Sequence, residues 1–366
     1  LRVCHLTSVH SHTDTRIFIK ECQSLARAGY EVHLVAPGAP SAVLEEVHVH
    51  GIEKEESSRL KRMAKAMDKV YKKGLEIDAD VYHFHDPELI PVGLKLKKKG
   101  KKVIYDVHED VPRQILNKSW LPFKSQKVIS KLFETYEEKA SKKFDLLITA
   151  TAFIRDRFLD IKANAVDVNN FPILNELKTD DVSWESKESS VCYVGGISKV
   201  RGVEEMVRAM EMTEGISLLM GGNFIPPNGK EEVMKYKGWN KVKHLGFLNR
   251  MEVKGVYQRS IAGLVLLHPR INYMDALPVK MFEYMAAGIP VIASNFPVWK
   301  SIVEGNDCGL CVDPLNPKEI AEAITFMKEN PGDAERMGQN GRKAVENIYN
   351  WEQESIKLID AYEKLR

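Results

Sequence analysis

Five short apolar runs punctuate the first half of this chain: RVCHLTS, YEVHLVAP, DVYHFHD, KKVIYDVHE and DLLITAT. Each is long enough for one strand and too short for a helix, and their near-continuous apolar character is that of parallel strands covered on both faces. Longer periodic segments separate them. From Thr15 to Ala28, the residues Ile17, Cys22, Leu25 and Ala28 fall toward one side of a helix; in RLKRMAKAMDKVYKKGL the stripe is Leu60, Met63, Ala64, Met67, Val70 and Tyr71. Strand-helix-strand alternation at this spacing predicts a doubly wound α/β domain.

The alternation stops and then resumes. ILNELKTDDVSWESKESS is a polar connector with little periodicity, after which SVCYVGG, ISLLMGG, KVKHLGF, GLVLLHP, PVIAS and GLCVDP predict a second parallel sheet. A chain of 366 residues exceeds one ordinary core. The expected division is a Rossmann-like domain over 1–175, a second over 176–349, and an amphipathic terminal helix, 350–366, that crosses back to the first. Two doubly wound domains are expected to face each other across a cleft, since such sheets bind ligands at the carboxyl ends of their strands.

No apolar run approaches the ~20 residues of a spanning helix, and no signal peptide is expected, since the sequence starts directly in a strand-like run. Five scattered cysteines point to a reducing cytoplasm; Cys308 and Cys311 form a C-x-x-C that runs into a strand, where a redox pair would open a helix. The first 175 residues hold 29 Lys and Arg against 24 Asp and Glu, with the excess concentrated in residues 59–73 and in KLKKKGKK. Such runs are either solvated helix faces or a point of attraction to an anionic membrane surface. A nucleic-acid partner is not expected at a net charge of +2 without a recognition-helix signature.

Two loops carry candidate chemistry. In YVGGISKVRG, Gly195 and Gly196 let backbone approach a ligand ahead of a helix, and Lys199 and Arg201 add positive charge. In RINYMDALPVKMFEYMAAG, Asp275 stands before a helix begun near Pro278, with Lys280 and Glu283 on neighbouring faces of it and the amides of Ala276 and Leu277 directed at a ligand. A diphosphate needs N–H groups and a cation, and sugar hydroxyls need carboxylate acceptors. A capped helix with a Lys–Glu surface pair would explain the same residues without any ligand.

The stretches LTSVHSHTDTRIFIKECQSLARAGYEV, DVYHFHDPELIP, VIYDVHED, YVGGISKVRG and LPVKMFEYMAAGIPVIAS together resemble the retaining nucleotide-sugar glycosyltransferases of family 4, which have the GT-B fold. The resemblance implies that Glu283 binds the ribose hydroxyls, that Asp275 contacts the transferred sugar near the reacting centre, and that Ala276, Leu277 and Pro278 flank sugar and phosphate. Gly222 and Phe247, at the ends of ISLLMGG and KVKHLGF, join the donor-side residues, and His108 takes the family's sugar-contacting histidine role. Two departures stand out: the first acid is Asp where the family has Glu, and Gly196 occupies the place of a phosphate-loop arginine. Arg201 keeps the second cation, and Lys280 or Lys199 replaces the first. His10, Asp14, Arg16, His85, Asp86 and Glu109 are acceptor-side candidates that either line the cleft or pack locally, as does His12.

Asp78-Ala-Asp80 has the form of a metal-holding D-x-D, but it precedes a strand and lies at the wrong end of the sheet; no metal and no cofactor are expected. The implied activity is metal-independent, retaining transfer from a nucleoside-diphosphate sugar, a UDP-sugar before a GDP-sugar, to a glycan or lipid-linked acceptor, in bacterial surface polysaccharide synthesis. Its setting would be the cytoplasm, with peripheral contact at the inner membrane face. A nucleotide-sugar epimerase of the same fold, or a non-catalytic sugar-binding protein, are the alternatives.

Overall fold

The computed structural model describes residues 1–53, 59–118, 122–174, 176–177 and 184–365, with backbone alone at 59–62 and 123. The side chains of Arg59, Leu60, Lys61 and Arg62, and most of the polar connector (175 and 178–183), therefore lie outside the described residues. The chain divides into two units, Leu1–Asn170 with Gln353–Arg366, and Phe171–Glu352. The terminal helix, Trp351–Glu363, starts in the second unit, and its residues from Gln353 onward belong to the first.

The first unit is built on β1 (Arg2–Leu6), β2 (Glu31–Pro37), β3 (Ala42–Leu44), β4 (Val47–Ile52), β5 (Val81–Phe84), β6 (Lys102–Val107), β7 (Leu146–Thr149) and β8 (Ala165–Asp167), in the order β3-β4-β2-β1-β5-β6-β7-β8. All pairings are parallel except β3 with β4. Chain order reverses between β1 and β5, the position where doubly wound sheets bind ligands. The two faces of the central strands differ. One contributes Cys4, Leu6, Tyr82, Phe84, Tyr105 and Val107 to the apolar core. The other, alternating with it as strand geometry requires, carries His5, Thr7, His83, His85 and Asp106, all buried.

The second unit contains β9 (Ser190–Val194), β10 (Ser217–Gly221), β11 (Val242–Gly246), β12 (Ala262–Val265), β13 (Val291–Ser294) and β14 (Gly309–Val312), ordered β11-β10-β9-β12-β13-β14 with every pairing parallel. Here the reversal falls between β9 and β12. Apolar helix faces cover both sides. Val203, Met206, Val207 and Met210 of helix Val203–Glu211 join one core, and Met281, Phe282 and Met285 of helix Val279–Ala286 join the other. Helix Arg250–Arg259 starts on a capping box: the Asn249 side chain accepts from Glu252 N while the Glu252 carboxylate accepts from Asn249 N.

Candidate functional site

In the second unit the candidate residues gather where β9, β10 and β12 end. Gly195 (φ 134°) and Gly222 (φ 130°) both occupy backbone conformations that side chains resist. A Cβ on Gly222 would stand 1.9 Å from Gly195 O, so the two turns touch through bare backbone. Neighbouring strand ends lock them: Gly195 N donates to Gly221 O at 3.0 Å, and Gly222 N to Gly246 O at 2.6 Å.

Lys280 enters this cradle from helix Val279–Ala286. Its stem is partly exposed, yet its ammonium is buried, has no hydrogen-bond partner, and lies 3.8 Å from the centre of the Tyr193 ring. A Cβ on Gly195 would meet Lys280 Nζ at 2.9 Å, so the ammonium rests against the glycine turn. Burial, then the nearby Arg201 charge, bring the Lys280 pKa down to about 7. Arg201 folds back so that Nη1 donates to Gly196 O at 3.0 Å, an oxygen that also accepts from Tyr193 OH at 2.7 Å. Two cations thus bracket one glycine turn, and one of them is unpaired. Such an arrangement is suited to an anion.

The other donor-side candidates divide. Lys199 reaches Glu204 (3.5 Å) and is 72% exposed at its side chain, and of the two lysines it is Lys280 that rests against the glycine turn. Phe247 is 78% exposed. Asp275 is partly buried in the turn before helix Val279–Ala286, with Leu277 and Pro278 partly buried after it. The Ala276 amide does not face outward as expected. It closes a turn onto Tyr273 O at 3.2 Å, and Ala276 O accepts from Trp299 Nε1 at 2.6 Å. Pro278 is the residue before the helix, and the first-turn amides of Val279 and Lys280 lack intrahelical acceptors. Glu283 is held from two sides, by Arg250 Nη1 at 2.8 Å and Tyr257 OH at 3.0 Å. A carboxylate has about four acceptor positions, so it retains capacity for hydroxyls.

The acceptor-side candidates of the first unit, Glu109 excepted, form one network at the ends of β1, β5 and β6. Asp106 is its centre. Arg16 grips it bidentately (Nε to Oδ2 3.0 Å, Nη2 to Oδ1 2.7 Å), and the rings of His85 (Nδ1, 3.0 Å) and His108 (Nε2, 2.7 Å) share Oδ2. His85 continues inward to His5 (2.9 Å). The His10 ring lies between Asp14 (3.2 Å) and Asp86 (3.3 Å), and Asp86 also accepts from Thr7 Oγ1 and Ser8 N at 2.8 and 2.6 Å. Asp14 caps the wide-turn helix Thr15–Cys22 through Arg16 N and Ile17 N. Burial opposes its charge, but the His10 bond and the Ile17 amide hold its pKa down to about 2. Glu109 stands apart: it is exposed and bonded by Gln114.

Sequence reasoning passed over Asp106 and Glu21. Glu21 is fully buried with Arg16 Nε 3.1 Å from Oε1, and burial together with the Asp106 carboxylate push its pKa well above the usual range. Asp106 moves the other way: burial opposes its charge, but Arg16 and His108 hold it well below normal. One guanidinium faces two carboxyls, and the opposite shifts favour the charge on Asp106 and the proton on Glu21. Two groups among the described residues have metal-ligand proximity, His5–Glu21–His83–His85 and His85–Asp106–His108, their ligand atoms all within 4.8 Å of one another. Linear spacing could not show these sets, because β1, β5 and β6 bring them together. Arg16 against Glu21 and Asp106 places a fixed cation beside both groups, which favours a proton over a dication there. The D-x-D acids are engaged elsewhere, Asp78 by Lys101 (2.7 Å) and Asp80 by Arg2 N (2.8 Å).

Comparison with known proteins bears on the family and the fold. The family model "Glycosyltransferase Family 4" matches residues 16–169, and "Glycosyl transferases group 1" matches residues 176–344. Spore coat protein SA of Bacillus subtilis is 27% identical over 192 residues, 48% of this chain and 49% of that protein, so the match spans about half the relative's length. Sucrose-phosphate synthase from Thermosynechococcus elongatus superimposes with a TM-score of 0.81 at 18% identity, covering 100% of this chain and 98% of that one. HepE of Anabaena, solved with UDP-glucose, gives a TM-score of 0.76 at 14% identity over 99% of both chains. With one family model on each unit and this fold, the chain belongs to the family 4 glycosyltransferases of GT-B architecture.

Proposed function

We propose that this protein moves a glycosyl group from a nucleoside-diphosphate sugar, a UDP-sugar before a GDP-sugar, to a hydroxyl of a glycan or lipid-linked acceptor, with retention and without a metal ion. Assembly of bacterial surface polysaccharide is the proposed setting. The observation that carries the reading is the buried, unpaired Lys280 ammonium against the Gly195–Gly222 turns.

As the bond from the sugar's anomeric carbon to the diphosphate breaks, charge develops on the departing phosphate oxygen. Lys280, Arg201 and the first-turn amides of helix Val279–Ala286 supply positive potential that needs no reorganisation at that moment. The acceptor oxygen attacks from the side the diphosphate leaves, and its proton passes to the leaving phosphate oxygen. Glu283 accepts the ribose hydroxyls with the capacity that Arg250 and Tyr257 leave, and Asp275 accepts from the transferred sugar. In the first unit the His108 ring is fixed by Asp106. HepE binding UDP-glucose in the same fold supports the donor class.

Calorimetric titration with UDP and GDP tests the reading. Lys280→Met should weaken UDP binding by roughly ten- to a hundredfold, the loss expected for a charge-assisted bond of about 1.5–3 kcal/mol. Affinity unchanged by that substitution would remove the phosphate assignment.

A further inference from the structure

Four buried side-chain atoms of the first unit have no hydrogen-bond partner among the described residues: His5 Nε2, His83 Nε2 and both carboxyl oxygens of Glu21. All three residues are fully buried. His5 and His83 are register partners on β1 and β5, and helix Thr15–Cys22 brings Glu21 Oε2 to 3.9 Å from His83 Nε2. One nitrogen or carboxyl oxygen from each of His5, Glu21, His83 and His85 lies within 4.8 Å of the other three. Arg16 Nε, 3.1 Å from Glu21 Oε1, directs its N–H at Asp106. Buried polar groups left unbonded keep their whole desolvation cost, so a polar ligand belongs among these atoms.

Spacing and charge select the ligand. Two groups bonded to one water at about 2.8 Å stand roughly 4–5 Å apart, whereas tetrahedral ligands of a zinc-like ion at about 2.1 Å stand about 3.4 Å apart. The 3.9 Å between His83 Nε2 and Glu21 Oε2 is closer to the first. A dication would also need an ionised Glu21, and burial followed by the Asp106 charge keeps the proton on that carboxyl. Burial likewise keeps the rings of His5, His83 and His85 neutral. The hydrogen bonds around them then fix where each ring carries its proton. Asp106 accepts from His85 Nδ1, so His85 Nε2 is bare and accepts from His5 Nδ1 at 2.9 Å. That leaves His5 Nε2 as a lone pair. Tyr362 OH donates to His83 Nδ1 at 2.7 Å, which leaves the His83 proton on Nε2.

We propose that His5 Nε2, His83 Nε2 and the Glu21 carboxyl hold one internal water molecule, which closes a hydrogen-bond path from Asp106 to Tyr362 of the terminal helix. The water accepts from His83 Nε2–H and donates to the His5 Nε2 lone pair. Its remaining positions meet Glu21, since a protonated carboxyl both donates and accepts. Three such partners are what a buried water typically has. The completed path runs from Tyr362 through His83, the water, His5 and His85 to Asp106, the carboxylate that also fixes His108. It ties the terminal helix to that carboxylate without adding a charge to the interior. Donor binding in the other unit has no part in it, so the proposal stands apart from the nucleotide-sugar reading.

Two measurements on the full chain test it. Crystals with diffraction fine enough to place waters, measured on both sides of the zinc absorption edge, should show one density peak about 2.6–3.2 Å from His5 Nε2, His83 Nε2 and the nearer Glu21 oxygen, with no anomalous signal. Nitrogen-15 spectra of histidine-labelled protein near pH 7 should show neutral rings, protonated on Nδ1 in His5 and His85 and on Nε2 in His83. Tyr362→Phe, which removes the donor to His83 Nδ1, should move the His83 signals and so identify them. An anomalous peak with ligands near 2.1 Å would overturn the proposal in favour of a metal ion. Empty density, or a His5 ring that is charged or protonated on Nε2, would overturn it as well.

Discussion

Lys280 has a titration consequence that separates it from an ordinary surface lysine. With its pKa near 7 in the folded chain, the ammonium is lost over a range where an unfolded lysine keeps its proton. The unfolded state therefore binds more protons above pH 7, and this residue's contribution makes stability rise with pH between about 7 and 10.5. Donor affinity runs the other way, because a diphosphate needs the charged form. Binding of a UDP-sugar, whose diester phosphates do not titrate near neutrality, should weaken as pH rises above about 7 and should take up a proton. Calorimetry in buffers of different ionisation enthalpy measures that uptake, and Lys280→Met should abolish it. The Glu21–Asp106 pair gives a second contrast. Asp106→Asn would leave the buried Arg16 guanidinium to Glu21, which must then give up its proton to balance it, and should cost about 3–5 kcal/mol. Glu21→Gln keeps a neutral, proton-bearing group and should cost far less. Since folding raises the Glu21 pKa, the folded state holds more protons above pH 4.5, and that residue's contribution to stability falls as pH rises. The Gln variant should therefore gain on wild type with increasing pH in urea melts.

At the scale of single elements, strands and turns were legible to different degrees. The buried parallel strands announced themselves because two covered faces demand apolar runs. The antiparallel edge strand Ala42–Leu44 did not, being three residues long and largely exposed. The polar face of β1, β5 and β6 was visible in principle: His5 and Thr7, His83 and His85, and Asp106 recur at every second position of otherwise apolar runs. That pattern is hard to weigh without knowing that the strands are neighbours, and Glu21 joins it only through packing. Glu283 could be singled out from its helix, whereas Arg250 and Tyr257, 33 and 26 residues away, are brought to it by the fold. The glycine turns were the most informative local signal, and they support a direct prediction. Gly222→Ala would drive a Cβ into Gly195 O at a φ that alanine resists. It should cost at least about 1–3 kcal/mol of stability and lower donor affinity together, seen as a reduced melting temperature and a smaller UDP-dependent shift.

Over the whole molecule, each unit places its candidate residues where strand order reverses, β1 against β5 in one and β9 against β12 in the other. That placement follows from doubly wound topology, which explains why the strand-helix alternation was enough to anticipate at which ends of the sheets the candidate residues gather. It was not enough to anticipate the buried charge balance, which depends on which faces meet. No helix among the described residues is long and apolar enough to cross a membrane, so any membrane contact of those helices is at a surface. If the positive groups at the Gly195 turn are what stabilise the departing diphosphate, transfer should persist in EDTA; loss of activity restored by magnesium or manganese would assign that task to a metal.

The central claim is that the second unit holds the donor's diphosphate between the Gly195–Gly222 turns and Lys280. Isothermal titration of the full chain with UDP-glucose near pH 7, in the presence of EDTA, tests it most directly when run beside Lys280→Met. The account predicts saturable one-to-one binding by the wild type and at least roughly tenfold weaker binding by a variant that melts as cooperatively. A wild type that binds no UDP- or GDP-sugar, or a folded Lys280→Met that binds as tightly, would contradict it.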